Sequence, residues 1–343
     1  MSVSTHIYSY PEAGVALKLD IYFAPPSQVA RNPVPSVVFF HGGSLISGNR
    51  DFLCKDIKRD TLSRGWAFIS ADYRLLIPST GHEILRDVKS LFAFLADAEG
   101  GLNKELRALG CPHQIDSNRL YVGGSSAGAY PAFLAALFAQ PKPKGFFSLY
   151  GVGGDLLSEF YLPRLRSGFR SSPSPSPINS RSTSTTRAAA ESANTVVTTD
   201  LIPGTNIPGH RARIGGQLRA ALHQSGTYLD ILMGMPGLSE KLGQIPDHEG
   251  RCQYVAQCEK SRYLFPQIWI DRDFPPSIVI HGDADAVVSI EESKRFVEKL
   301  QKGGVEVVFL VAEGKGHQFE ERASPEVYVQ YIKPVVEFLR KLS

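Results

Sequence analysis

Apolar residues along this chain fall into two alternating rhythms. Short, nearly unbroken apolar runs stand at 36–41 (SVVFFH), 66–72 (WAFISAD), 119–123 (RLYVG), 145–150 (GFFSLY), 277–281 (SIVIH) and 305–311 (VEVVFLV). Runs of this length and β-branched content predict strands covered on both faces. Amphipathic stretches lie between and after them, at 51–64, 83–98, 127–138, 290–301 and 325–342. In 83–98 the apolar positions are Ile84, Val88, Leu91, Phe92 and Leu95, and in 290–301 they are Phe296, Val297 and Leu300. Steps of three and four residues put each set on one helical face. Strands alternating with helices predict an α/β chain with a mostly parallel central sheet and helices on both faces.

The rhythm breaks between residues 151 and 276, which divides the chain into a first core part (1–150), an insert (151–276) and a second core part (277–343). Within the insert, 167–200 is rich in Ser, Thr, Pro and Arg. A stretch such as SSPSPSPINSRSTSTTR buries too little apolar surface to offset its ordering entropy, so the tract is expected to be disordered. Residues 216–242 regain helical character through Leu218, Leu222, Leu229, Ile231 and Leu232, and 263–270 (YLFPQIWI) is aromatic and apolar. The insert follows the strand after helix 127–138, where a cap or lid overhangs the crevice at the strand ends.

Composition narrows the function classes. With 343 residues, 43% of them hydrophobic, the chain is long enough for one large α/β domain or two small ones. The 37 basic and 34 acidic residues leave a formal charge of +3, which gives no electrostatic case for nucleic acid. The opening MSVSTHIYSYPEAG has neither a basic n-region nor an apolar h-region, so no signal peptide is expected. No apolar run approaches the ~18–20 residues that span a bilayer, so a cytoplasmic location without stable membrane insertion is expected. Cys54, Cys111, Cys252 and Cys258 match no zinc spacing and are expected as reduced thiols, with Cys252 and Cys258 the pair that oxidation would join.

The chemistry enters at Gly124-Ser125-Ser126-Ala127-Gly128. This G-x-S-x-G lies between a strand pattern and a helix pattern, the setting of a nucleophile elbow. Small residues two before and two after the serine allow the tight turn that pushes its Oγ into the open. In the alternative frame centred on Ser125 the following small residue is Ala127 rather than Gly128, which favours Ser126. The motif alone is weak, because glycine and serine also mark plain turns. A serine hydroxyl needs a base, and His317 in Glu313–Phe319 (EGKGHQF) stands between the last strand and the last helix, with glycines to deliver the ring. The base needs an orienting carboxylate, and His281–Val288 (HGDADAVV) offers Asp285, with Asp283 as runner-up in a turn or capping role. The order Ser126, Asp285, His317 is that of the α/β-hydrolase triad. His41-Gly42-Gly43-Ser44 follows the first strand, and its glycines let backbone N–H groups approach an oxyanion. Gly42 and Gly43 would donate, with the N–H of Ala127 as third partner.

Five segments together resemble one family: HGGS at 41–44, ADYRL at 71–75, GGSSAG at 123–128, HGDADAVV at 281–288 and GKGHQF at 314–319. The chain resembles the α/β-hydrolase superfamily, and within it the carboxylesterase/lipase group of the hormone-sensitive-lipase type. The likeness spans most of the chain outside the insert and the first ~35 residues. It implies the α/β-hydrolase fold with an inserted cap, a serine esterase acting on small to medium organic esters, and no metal or cofactor. By resemblance Ser126 is the nucleophile, Asp285 the acid, His317 the base, and Gly42, Gly43 and Ala127 the oxyanion hole, whereas Asp72-Tyr73-Arg74 belongs to a structural motif. Three departures stand out. Ser44 replaces the usual third glycine or alanine, 76–82 lacks the usual Ala-Pro-Glu, and the insert is long. Relatives with the same loop cleave amides, as arylformamidases do, or transfer acyl groups, so these remain alternatives. A non-catalytic binding module usually lacks a triad member, and here all three are present.

Overall fold

A computed structural model of the chain describes residues 2–11, 16–29, 32–162, 222 and 225–343. The expected disordered tract 167–200, and Leu218, lie outside the described residues.

The strand patterns become a single eight-stranded sheet of order β1-β2-β4-β3-β5-β6-β7-β8. The strands are β1 (Ser2–Ser9), β2 (Leu17–Phe23), β3 (Val34–Phe40), β4 (Ala67–Ala71), β5 (Ile115–Ser125), β6 (Gly145–Leu149), β7 (Ser277–Gly282) and β8 (Val307–Ala312). From β4 across to β8 all pairings are parallel, and β1 and β2 add an antiparallel edge. That edge was not anticipated. In β2 the alternation of Leu17, Leu19, Ile21 and Phe23, all buried, is a readable strand signal. In β1 only His6 and Tyr8 are buried, so its pattern is too polar to register.

Alternating side chains build a separate core on each face of the sheet. Phe40 and Ile69 join one core with Ile84, Val88, Leu91, Phe92 and Leu95 of helix Gly81–Ala96, with helix Ala129–Phe138, and with Phe296, Val297 and Leu300 of helix Ile290–Lys302. Phe39 and Phe68 face the opposite core with Ile57 and Leu62 of helix Lys55–Ser63 and Val335, Val336 and Leu339 of helix Lys333–Lys341. Helix Gly81–Ala96 starts two residues before the periodicity implied, because Thr80 and Glu83 close a capping box. The terminal helix is not continuous. Pro325–Val327 passes through a wider π turn at Tyr328–Ile332 before Lys333–Lys341. Pro334 has no N–H to donate to the preceding turn, which removes one rung of an α ladder there.

The described part of the insert is mostly short helices: Tyr228–Met233, Leu238–Gly243, His248–Ala256 and Pro266–Trp269. Tyr228, Leu229, Leu232, Leu242, Val255 and Leu264 are buried in the first core, continuous with the helices beneath. The helix at His248–Ala256 was not anticipated, since it carries almost no apolar face beyond Val255.

Charged residues of the Asp72-Tyr73-Arg74 segment brace the sheet. Asp72 accepts from the backbone and guanidinium of Arg50, both at 2.8 Å. Arg74 donates to Asp87 from Nη2 at 2.7 Å and from its backbone N–H at 2.9 Å, and the Asp87 side chain is 2% exposed. Removing one partner of a buried pair leaves a desolvated charge uncompensated. Arg74→Ala is therefore expected to cost about 3 kcal/mol in urea denaturation. A loss below ~1 kcal/mol, the worth of a surface pair, would contradict that account.

Candidate active site

β5 ends at Ser125, a one-turn helix spans Ser126–Gly128, and helix Ala129–Phe138 follows. Ser126 sits at φ 53°, in the left-handed region that side chains other than glycine rarely adopt. The flanking glycines are required by contact. A Cβ at Gly124 would lie 2.3 Å from the Gly128 carbonyl oxygen, and one at Gly128 would lie 2.1 Å from that of Phe40 and 2.5 Å from that of His41. The turn is thus pressed against the end of β3. Ser125 is the last residue of β5, so the choice of frame is visible in the backbone: Ser126, not Ser125, is turned toward the imidazole.

Three side chains from the carboxyl ends of β5, β7 and β8 meet in one line. His317 Nε2 lies 2.9 Å from Ser126 Oγ, and His317 Nδ1 lies 2.7 Å from Asp285 Oδ2. A carboxylate accepts, so Nδ1 carries the proton and Nε2 is left to accept from the serine. Asp285 Oδ1 accepts from the N–H groups of Val287 at 2.8 Å and Val288 at 3.0 Å. Its side chain has no exposed surface. Burial alone would raise its pKa, but hydrogen bonds from His281 and His317 and from the Val288 N–H outweigh burial and hold the carboxyl well below the usual range. Asp283 is exposed and accepts from the Gly314 N–H at 2.6 Å, bracing the loop that carries His317. The imidazole also packs edge-on against Tyr150, with ring centroids 4.6 Å apart. Tyr150 donates to Glu320, whose pKa burial pushes up to about 7.

The loop 41–44 runs beside the elbow. A Cβ at Gly42 would come within 3.1 Å of the Ser125 carbonyl oxygen and 3.2 Å of Ser126 Cβ. Gly43 has φ 111°, where any Cβ would strike the Ser47 carbonyl oxygen at 2.1 Å. Among the described residues, no protein group accepts from the N–H of Gly42 or Gly43. Ala127 is the second residue of the one-turn helix Ser126–Gly128, where an N–H has no partner within the helix. His41 holds this loop in place: its Nδ1 donates to the Gly42 carbonyl at 2.7 Å, and its ring stacks on Tyr73 at 4.4 Å. Burial lowers the His41 pKa, so the ring stays neutral. Tyr73 in turn donates to the His41 carbonyl at 2.8 Å. Tyr73 thus has the structural role expected of the Asp72-Tyr73-Arg74 segment, and its contact with the loop 41–44 is what the sequence alone did not specify.

Ser126 opens into a cleft lined by Ser44, Val152, Phe160, Tyr161, Tyr228 and Val288. Val152 reaches it through a strap after β6, whose N–H donates to the Ser126 carbonyl at 3.0 Å. Tyr161 donates to Glu292, which also accepts from the Gly153 N–H at 2.9 Å. Glu292 is 1% exposed, and burial pushes its pKa up to about 8. Phe160, Tyr161 and Tyr228 all belong to the insert, which sequence patterning could not fold. Among the described residues, no group of three or more His, Cys, Asp or Glu is placed to hold a metal ion. No described helix is long and apolar enough to cross a membrane.

Comparison with known proteins agrees with the fold. A family model described as BD-FAE matches residues 19–144, and one described as the prolyl oligopeptidase family matches residues 251–343. Non-reducing polyketide synthase pkbA of Emericella nidulans is 28% identical over 90% of this chain. Esterase LipC of Mycobacterium tuberculosis is 24% identical over 84% of it. The chain spans 12–14% of the polyketide synthases it matches and 54% of LipC. Among solved structures, a thermophilic esterase from Thermogutta terrifontis superposes with a TM-score of 0.57 at 18% identity, covering 99% of this chain and 92% of that one. The chain has the α/β-hydrolase fold.

The buried Glu292 gives this region a pH signature. Its carboxyl keeps a proton to about pH 8 when folded and only to about pH 4.3 when unfolded. The folded chain binds more protons between those values, so this group makes stability fall as pH rises through the window. Glu292→Gln removes that slope. The urea midpoint of the variant relative to wild type is expected to rise from about pH 5 to about pH 8. A constant offset would contradict a protonated Glu292.

Proposed function

We propose that this α/β-hydrolase-fold chain is a serine hydrolase that cleaves carboxylic esters of small to medium organic molecules through an acyl-enzyme. The observation that carries the reading is the continuous line from Ser126 Oγ to His317 at 2.9 Å and from His317 to Asp285 at 2.7 Å. Nε2 of His317 takes the Ser126 proton as Oγ attacks the ester carbonyl. Asp285 holds the Nδ1–H tautomer and stabilises the imidazolium that forms. The oxyanion develops against the N–H groups of Gly42, Gly43 and Ala127, each such donor being worth about 3–4 kcal/mol in the transition state. The alcohol leaves with the proton from His317, and water activated by the same ring releases the acid. The glycine loop at 41–44 supports an esterase of the hormone-sensitive-lipase type. The insert, read as a cap over residues 151–276, supplies Phe160, Tyr161 and Tyr228 to the walls of the acyl cleft.

Esterase kinship supports this reading. One structural neighbour, at 17% identity, is described as Thermogutta terrifontis esterase 2 phosphorylated by paraoxon. A second reading keeps the triad and changes the acceptor, since an alcohol or amine can open an acyl-enzyme in place of water. The matches to three polyketide synthases favour a polyketide-derived acyl group for that alternative.

p-Nitrophenyl esters from acetyl to octanoyl, compared with N-formylkynurenine, separate esterase from arylformamidase, and a clear preference for the amide overturns the ester assignment. Ser126→Ala and His317→Ala are each expected to lower kcat by about 10⁶-fold. Asp285→Asn is expected to lower it by about 10⁴-fold, and Asp283→Asn by less than about tenfold, as befits a loop brace. The reverse order for the two aspartates would move the acid to Asp283.

A further inference from the structure

A second line of nucleophile, imidazole and carboxylate lies in the insert, outside the candidate active site. His248 and Cys252 are four residues apart on helix His248–Ala256, which stacks their side chains on one face. Cys252 Sγ is 3.6 Å from His248 Nδ1, and His248 Nε2 is 2.7 Å from Asp155 Oδ1. The polarity of the line is settled at Asp155. Its carboxylate can only accept, so Nε2 carries a proton and Nδ1 faces the sulfur. Asp155 is held firmly: its side chain is 2% exposed, Oδ2 accepts from Arg295 at 2.6 Å, and Oδ1 also accepts from the Leu157 N–H at 3.2 Å.

Cationic side chains lie near this sulfur. Lys299 interacts electrostatically with Cys252 from the neighbouring helix. His248, Arg251 and Arg295 line an open cavity alongside, together with Glu159, Glu291 and Glu292. Arg251 is 6% exposed, and its guanidinium donates to the carbonyls of Ile245, Leu157 and Pro246. The hydrogen bond to Asp155 is the main cause that pushes the His248 pKa up to about 9, so the ring beside Cys252 is cationic at neutral pH. Among the described residues, no other cysteine has an imidazole partner of this kind. Cys54 is buried, and burial pushes its thiol pKa up. Burial likewise raises Cys258, whose thiol donates to the Tyr254 carbonyl at 3.5 Å.

We propose that Cys252 is a nucleophilic thiol and a site of reversible thiolation by a small acidic disulfide, with the His248 imidazolium stabilising its thiolate and Asp155 orienting His248. The sulfur attacks one sulfur of the disulfide, a new S–S bond forms to Cys252, and the old one breaks. The departing thiolate takes up the proton lost by Cys252 and leaves as a free thiol. No electrons are gained or lost overall: one disulfide and one thiol become one mixed disulfide and one thiol. This step is independent of Ser126.

The test is the rate of mixed-disulfide formation with glutathione disulfide near neutral pH, followed by intact mass and peptide mapping on the full chain. Cys258, half-buried on the same segment, is the internal reference. Cys252 is expected to react at least about tenfold faster than Cys258. His248→Gln and Asp155→Asn are each expected to slow Cys252 by about tenfold while leaving Cys258 unchanged. Buried Cys54 reports on folding, because an unfolded variant would expose it to the reagent; in that event the second variant decides. Ser126→Ala is expected to leave the Cys252 rate as in wild type. Equal rates at Cys252 and Cys258, or an undiminished Cys252 rate in folded His248→Gln protein, would overturn the proposal.

Discussion

Everything at the candidate active site depends on how closely the elbow after β5 presses against the end of β3. Gly128 sits where any Cβ would meet the carbonyl oxygens of Phe40 and His41 at 2.1 and 2.5 Å. That contact does two things at once. It forces the chain to turn at Ser126 through φ 53°, a conformation that costs of order 1–2 kcal/mol for a residue with a side chain and persists only where the surroundings impose it. It also sets the loop 41–44 beside the nucleophile, because that loop is the direct continuation of β3. One packing constraint therefore fixes the distance between the attacking oxygen and the backbone N–H groups proposed to receive the developing charge.

The parallel sheet extends this arrangement to the other partners. Adjacent parallel strands end at the same edge, so residues following β3, β5, β7 and β8 converge there without long reaches. Each loop is then held by its own bonds. Tyr73 and the His41 ring hold the loop after β3, the Val287 and Val288 N–H groups hold Asp285, and Asp283 holds the loop of His317. Preorganisation of this kind is what makes an acid–base pair effective, since little is left to reorganise when charge develops. Buried Glu292 and Glu320 play a quieter part: each anchors a tyrosine, and those tyrosines wall the cleft and back the imidazole.

The core of the fold was legible because buried parallel strands and amphipathic helices leave strong periodic marks. The face from Ile84 to Leu95 is buried residue for residue. Legibility failed where burial is carried by something other than periodicity. β1 is mostly polar and pairs through its backbone, the terminal helix widens ahead of Pro334, and helix His248–Ala256 is held largely by polar contacts. At the candidate site, the expected side chains Ser126, Asp285 and His317 come together, and Asp283 turns away to the Gly314 N–H. The supporting tyrosines left no such mark, because a tyrosine that braces a loop looks in sequence like any other core aromatic.

The central claim is that Ser126 alone, activated by His317, forms a covalent bond with an acyl or phosphonyl group. It is tested most directly by treating the folded protein with a fluorophosphonate and locating the adduct by peptide mass spectrometry. The account predicts one adduct per chain, on the peptide containing Ser126, absent from Ser126→Ala and nearly absent from His317→Ala. Labelling at Ser125 or elsewhere, or no labelling of the folded wild-type chain, would contradict it.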